Sequence, residues 1–325
     1  MVFGGLYTAI KCFDERKTSP EHKFLCNLIL QVMKDWATQF GNDPMMKSIF
    51  NANNIFREMD EYVVPLYHLI KYLESDITGE SISLLDVASG KGYMSLLLSS
   101  LSVKLNILQR IKSITMIDKN KNMNLNHLDH LKKEVHSQYA PIPIHFIQMD
   151  LHKNTFQQYV LNDLAFKPVI IAIHPCKRLS SRCVNLFNNL PIDALFLAPC
   201  CVPNPSKHAI KCGNQKVIPN YLHRCDSPYD AWVKFLAAAV ETTNCCSKVV
   251  RIRERSLLVD GVKGEVWTKH VGNLCVVASR GIVRFGETKV APERKDSNEV
   301  YNVVVATVAS TVVLGNEGKT KINDV

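Results

Sequence analysis

Residues Ile82 to Leu98 read ISLLDVASGKGYMSLLL. Ile82, Leu84, Leu85 and Val87 form a short apolar run that meets Gly90 and Gly92 and passes directly into a leucine-rich stretch. That is the pattern of a strand, a tight turn and a helix N-terminus. Glycines let a ligand approach the backbone without a Cβ in the way, and the free N–H groups opening the next helix point at it. The turn is therefore expected to hold a nucleotide. A dinucleotide fold wants a third glycine and an acid about 20 positions later. Here Ser95 takes the third glycine position, and the first plausible acid, Asp118, comes 26 residues after Gly92. Asp86 at the strand end suits a cationic ligand instead, such as the amino group of a bound amino-acid moiety. S-adenosylmethionine carries such a group.

The run from Asp86 to Ser95, DVASGKGYMS, resembles the first motif of class I methyltransferases. Ser89-Gly90-Lys91-Gly92 followed by Ser95 is similar to one branch of them, which includes the tRNA acceptor-stem ribose 2'-O-methyltransferases and several methyltransferase-like proteins. The resemblance covers roughly Leu84 to Pro203. It implies an α/β, Rossmann-like sheet, mostly parallel and seven-stranded.

Outward from the motif the pattern agrees. Ser113–Asp118, Ile144–Leu151, Val169–His174 and Ala194–Ala198 read as strands, and helical spacing lies between them, at Asn122–Val135, around Phe156–Leu164 and at Leu179–Leu190. Strand-helix alternation of this kind implies a parallel sheet with right-handed crossovers, with ligands at the carboxyl ends of its strands. Residues 81–280 would form this domain. Before it, residues 1–80 read as a helical extension: a loosely held lead-in to Pro20, a helix from Glu21 to Phe40, and a second helical region interrupted or kinked at Pro65. Cys201 to Ser227 reads as a long substrate loop. Val249–Val259 and Leu274–Ser279 suit an antiparallel pair closing the sheet. The pattern ends at Arg280, and residues 281–325 form an extension of open role in which Val300–Leu314 has strand character.

Three acids stand at successive strand ends. By position and resemblance, Asp86 lies near the methionine part of the cofactor, Asp118 takes the ribose hydroxyls, and Asp150 with the Leu151 backbone meets the adenine edge. Ala88, Ser89, Gly90 and Gly92 form the cradle, and His174 borders it. Strand-end acids also cap helices; only their combination with the glycine turn favours a cofactor. The fourth and fifth strands end in His174-Pro175-Cys176 and Pro199-Cys200-Cys201, matching the His-x-Cys and Cys-Cys patterns of the branch. Lys177 stands where the branch has glycine, and Val202-Pro203 where the tRNA enzymes have histidines. Methyl transfer to a ribose oxygen needs alignment and help in removing a proton. His174, Lys91 or Lys177 can supply it. Cys176 and Cys200, each after a proline, superficially suit the thiolate attack used in cytosine C5 methylation, although His174 replaces the acid usual before such a Pro-Cys pair, or they are small core residues.

Eleven cysteines at irregular spacing, without a secretory signal, point to reduced thiols in the cytoplasm or nucleus. Adjacent pairs such as Cys200-Cys201 seldom make a tetrahedral zinc site by themselves, so no metal is expected. No apolar run approaches membrane-spanning length. Of the net charge of +9, much lies between Cys201 and Lys295, where 16 Lys and Arg face 8 Asp and Glu. Lys207, Lys211, Lys216 and Arg224 share one loop, and Arg251, Arg253 and Arg255 follow a strand. This is the footprint of a polyanion partner such as RNA, which the resemblance narrows to tRNA and its processing, or simply a solvated basic face. RNA methylation is thus the favoured activity. The alternatives are protein or small-molecule methylation and a methyltransferase scaffold that only binds.

Overall fold

The computed structural model of the chain describes residues 4–15, 18–50, 55–76, 78–131, 141–240, 245–251, 274–280 and 305–306. Helices α1 (Gly4–Asp14), α2 (Lys23–Phe40), α3 (Lys47–Phe50) and α4 (Ile55–Ser75) precede β1 (Ile82–Val87). Then follow α5 (Tyr93–Leu101), β2 (Ile111–Asp118), α6 (Asn126–Leu131), β3 (Ile144–Gln148), α7 (Asn154–Asn162), β4 (Lys167–Ile173), α8 (Arg178–Asn189) and β5 (Ala194–Ala198). The remainder comprises β6 (Ile210–Cys212), β7 (Gln215–Val217), α9 (Pro219–Leu222), α10 (Pro228–Ala238), β8 (Cys245–Arg251), β9 (Leu274–Arg280) and β10 (Val305–Ala306).

The main sheet has the order β10-β8-β9-β5-β4-β1-β2-β3. Strands β1 to β5 run parallel, and β9 and β8 join antiparallel beside β5. This is the Rossmann-like architecture expected, with one correction. The sheet has an eighth strand, the two-residue β10 on the edge of β8.

Every residue of β1 is buried because helices cover both faces of the central strands. Side chains alternate across a strand. Thus Ile82 and Leu84 enter the core shared with α1, α2, α4 and α5, while Leu85 and Val87 enter the opposite one, filled from α7, α8 and α10.

Three other expectations are revised. Residues 4–14 are no loose lead-in: Leu6, Ala9 and Phe13 recur on one face of α1 and are buried against the neighbouring helices. Helix α4 runs unbroken past Pro65. A proline inside a helix costs about 3 kcal/mol, and here the buried flank from Met59 to Leu73 opposes that cost. The 201–227 segment is built rather than open, with the β6–β7 hairpin followed by α9. The expected helix at 122–135 is observed as α6, and its positions 132–135 lie outside the described residues, as do 252–259 of the expected strand 249–259 and all of 281–325 except β10.

Side-chain hydrogen bonds tie the first four helices to the rest of the domain, two of them prominent. Trp36 Nε1 of α2 donates to Ser100 Oγ of α5 (3.1 Å). Arg110, just before β2, donates to the Leu73 carbonyl and the Asp76 carboxylate behind α4, and its Nη2 also reaches the Glu80 carbonyl at 2.8 Å. No described helix is long and apolar enough to cross a membrane.

Candidate active site at the strand ends

The turn after β1 is folded onto the end of β2. The Ala88 N–H donates to the Ile117 carbonyl (2.9 Å), and the Gly92 N–H donates to the Ser89 carbonyl (2.9 Å). Ala88 has φ 57° and Gly92 φ 80°. Gly92 is required twice over: its backbone is left-handed, and a Cβ there would lie 2.5 Å from the Met116 thioether. Gly90, also left-handed, is the opposite case, because a Cβ there would meet nothing within 4 Å. Its N–H donates to Asp118 Oδ2 (3.3 Å), so the acid ending β2 faces the turn.

Asp86 is 3% exposed and accepts a 2.6 Å hydrogen bond from the Ser95 hydroxyl. Burial pushes its carboxyl up to about 7, the Ser95 hydrogen bonds oppose the rise, and the charges of Asp118 and Glu58 add to it. Asp118 and Asp150 both also serve the bland role of loop caps, accepting from the N–H groups of Asn120 (2.9 Å) and His152 (3.0 Å). Leu151 is buried, with its carbonyl accepting from Arg182 Nε (2.7 Å).

Sequence reading missed the contribution of α4. Its Glu61 carboxylate stands 2.5 Å from His174 Nε2, and that of Glu58 3.8 Å, so two acids from the helical region flank the residue ending β4. Burial alone would lower the His174 pKa, but the Glu61 and Glu58 carboxylates outweigh it and hold the imidazole above its ordinary value. Tyr62 Oη donates to Glu58 Oε2 (2.6 Å). The only signal available was a run of acids, Glu58, Asp60 and Glu61, on a face otherwise apolar enough to be core.

His174, Cys176 and Cys200 come together as expected, and Cys201 joins them. Cys176 Sγ is 3.0 Å from Cys200 Sγ, and the Lys177 N–H donates to Cys201 Sγ (3.3 Å). The Cys200 thiol holds Cys176 below the ordinary thiol value, burial opposes this, and His174 and Lys177 assist the lowering. Lys91 lies elsewhere, exposed on the β1 turn, with its carbonyl accepting from His127 Nε2 (3.0 Å). Burial lowers the His127 pKa to about 4, so the imidazole is neutral and supports the turn from beneath.

The arrangement fits a ligand carrying an ammonium group and ribose hydroxyls. Buried and half-buried carboxylates face one turn, the Ser89 hydroxyl is buried there without a hydrogen-bond partner, and the space over Gly90 is open. Residues 59–208, a little under half of the chain, match the family described as "Methyltransferase domain", and the match indicates a methyltransferase. No curated protein matches it. Among solved structures, it is similar to the methyltransferase domain of bacterial CtHen1 (12% identity, 70% of this chain and 100% of that one, TM-score 0.35). It is also similar to the CurJ carbon methyltransferase (14% identity, 82% and 72%, TM-score 0.39). An O-methyltransferase family protein from Burkholderia thailandensis matches at 11% identity, over 78% and 71%, with a TM-score of 0.33. At such scores none of these likenesses bears on what the chain acts upon.

Proposed function

We propose that the chain transfers a methyl group from S-adenosylmethionine to RNA, with a ribose 2'-oxygen as acceptor. The cofactor, when bound, supplies a methyl group made electrophilic by its sulfonium. Asp86 holds the ammonium of the amino-acid part, the Ser89 hydroxyl donates to its carboxylate, and Asp118 accepts from the ribose hydroxyls. Asp150 and the Leu151 backbone take the adenine edge. His174, oriented by Glu61, takes the proton from the acceptor hydroxyl.

The observation that carries the RNA reading is the β6–β7 hairpin. Lys211 and Lys216 are directly opposite each other in its register and both are exposed. Like charges facing across a strand pair are destabilising, so the pairing makes sense as a grip for a polyanion. Exposed Lys207 and Arg224 extend it, and Tyr221, 67% exposed, offers a face on which a base can stack. The hairpin is held to α8, the helix that follows β4, by the Gly213 N–H, which donates to Asn185 Oδ1 (2.8 Å), while Tyr229 Oη of α10 donates to the Pro199 carbonyl just before Cys200 (2.7 Å). Of the other basic residues expected to share this role, Arg253 and Arg255 lie outside the described residues.

The test is transfer of labelled methyl groups to total RNA, with mapping of the modified nucleotide. Label should appear as 2'-O-methyl nucleosides, and Lys211→Ala/Lys216→Ala should reduce RNA affinity and flatten its salt dependence by about two counterions. Label recovered in protein or small molecules with RNA unmodified would refute the acceptor assignment.

A further inference from the structure

The ends of β4 and β5 hold a group of side chains that the proposed reaction does not need. Cys176, Cys200 and Cys201 place their three sulfur atoms within 4.8 Å of one another. We propose that these three cysteines bind one zinc ion, with its fourth coordination position open toward solvent.

The distances favour a shared ion. Tetrahedral zinc with Zn–S bonds of about 2.3 Å sets its sulfurs about 3.8 Å apart. Cys200 Sγ and Cys201 Sγ are 3.7 Å apart, already at that spacing, while Cys176 Sγ, 3.0 Å from Cys200 Sγ, needs only to swing outward. Its freedom to do so follows from its position, since Cys176 is exposed and the other two are half-buried. The same exposure gives an entry path and leaves the fourth position facing water, as in zinc sites with three protein ligands.

The surroundings suit thiolates. Three thiolates around a divalent ion leave one negative charge. The Lys177 N–H donates to Cys201 Sγ (3.3 Å), and its amide is aimed there by an unusual backbone, φ 55° and ψ −123°. His174, whose φ is 63°, turns the chain so that Cys176 meets the β5 cysteines. Donors to ligating sulfurs and a constrained backbone are what keep such ligands in place. Spacing hid the site, because the ligand completing the Cys200-Cys201 pair lies 24 residues earlier on the neighbouring strand.

The site stands apart from the choice of methyl acceptor, and its test reads metal rather than turnover. The full-length protein, purified under reducing conditions with zinc and then desalted, should retain about one zinc per chain by elemental analysis. Cobalt(II) substituted for zinc should give the sulfur-to-metal charge-transfer band and strong visible absorption of a tetrahedral thiolate site. Cys176→Ser and Cys201→Ser should each remove that signature and most of the bound metal, while Cys225→Ser should change neither. Near-ultraviolet circular dichroism checks that the variants are folded. Substoichiometric metal in the folded parent, cobalt spectra without thiolate bands, or full metal content in a Cys176→Ser/Cys200→Ser/Cys201→Ser variant would each overturn the proposal.

Discussion

The hydroxyl of Ser95, on the first turn of α5, donates a 2.6 Å hydrogen bond to Oδ2 of Asp86 at the end of β1. Serine thus occupies the position of the third glycine of a dinucleotide turn and puts it to a different use. It satisfies one oxygen of a carboxylate that is almost wholly buried.

That carboxylate makes cofactor binding pH-dependent. The Asp86 pKa is raised by burial from 3.8 to about 7, so below pH 7 a cationic ligand must displace its proton. Affinity for S-adenosylmethionine should rise up to about tenfold per pH unit below 7 and level off above it. Titration calorimetry at pH 6 in buffers of different ionisation heats should show proton release. An affinity constant from pH 5.5 to 8 would contradict this.

The same group acts on stability with the opposite sense. Between about pH 4 and 7 the folded state keeps a proton that the unfolded chain has lost, so unfolding free energy falls as pH rises through that window and is level above it. Asp86→Asn should remove this slope and leave the protein at least as stable at pH 8 in thermal unfolding. It should also weaken cofactor binding on the order of a hundredfold, about 3 kcal/mol, the range for a charged hydrogen bond. A variant that unfolds at pH 8 but still binds would reverse the roles assigned here.

Gly90 and Gly92 should separate binding from folding. Gly90→Ala meets no atom within 4 Å and pays only for a left-handed alanine, about 1 kcal/mol, but its methyl projects into the space over the turn. Cofactor binding should fall more than stability does. Gly92→Ala adds a clash with buried Met116 to the same backbone cost, so its melting temperature should drop further than that of Gly90→Ala. Equal destabilisation with equal loss of binding would show that the space over Gly90 is not a binding space.

The core of this site was legible because period-2 apolar runs and glycine spacing are local signals. Asp86, Ser89, Gly90, Gly92 and Asp118 all lie around one turn, and the structure keeps them there. Glu58 and Glu61 were not legible. They reach His174 only because α4 packs over the sheet, 113 residues away in sequence for Glu61. Burying α1 is likewise a tertiary matter, since a short run of apolar side chains signals little until α2 and α4 offer Leu6, Ala9 and Phe13 a surface. The hairpin at 210–217 escaped notice because strands of three residues carry too short an alternation to read.

Glu61 should act through His174. Glu61→Gln keeps the shape but removes the charge 2.5 Å from Nε2. Turnover should fall by about 10- to 100-fold, up to the lower end of what general-base catalysis supplies because the imidazole itself is kept, with cofactor affinity little changed. Single-turnover rates and equilibrium binding on the same preparation separate the two. Loss of binding with unchanged chemistry would place Glu61 with the cofactor instead.

Arg110 should be the residue that secures the helical region to the sheet. Its guanidinium donates to the carbonyls of Leu73 and Glu80 and to the Asp76 carboxylate, joining the end of α4, the approach to β1 and the start of β2. The side chains of Arg110 and Asp76 are 15% and 11% exposed, so water cannot readily replace these bonds. Lysine has the charge but not the planar fork. Arg110→Lys should therefore cost about 2 kcal/mol in denaturant unfolding, the range for losing charged hydrogen bonds at a largely buried position. Asp76→Asn should cost less, because the Leu73 and Glu80 carbonyls still hold the guanidinium. If the two variants were equally destabilised, the ion pair rather than the carbonyl contacts would be what fastens α4 to the sheet.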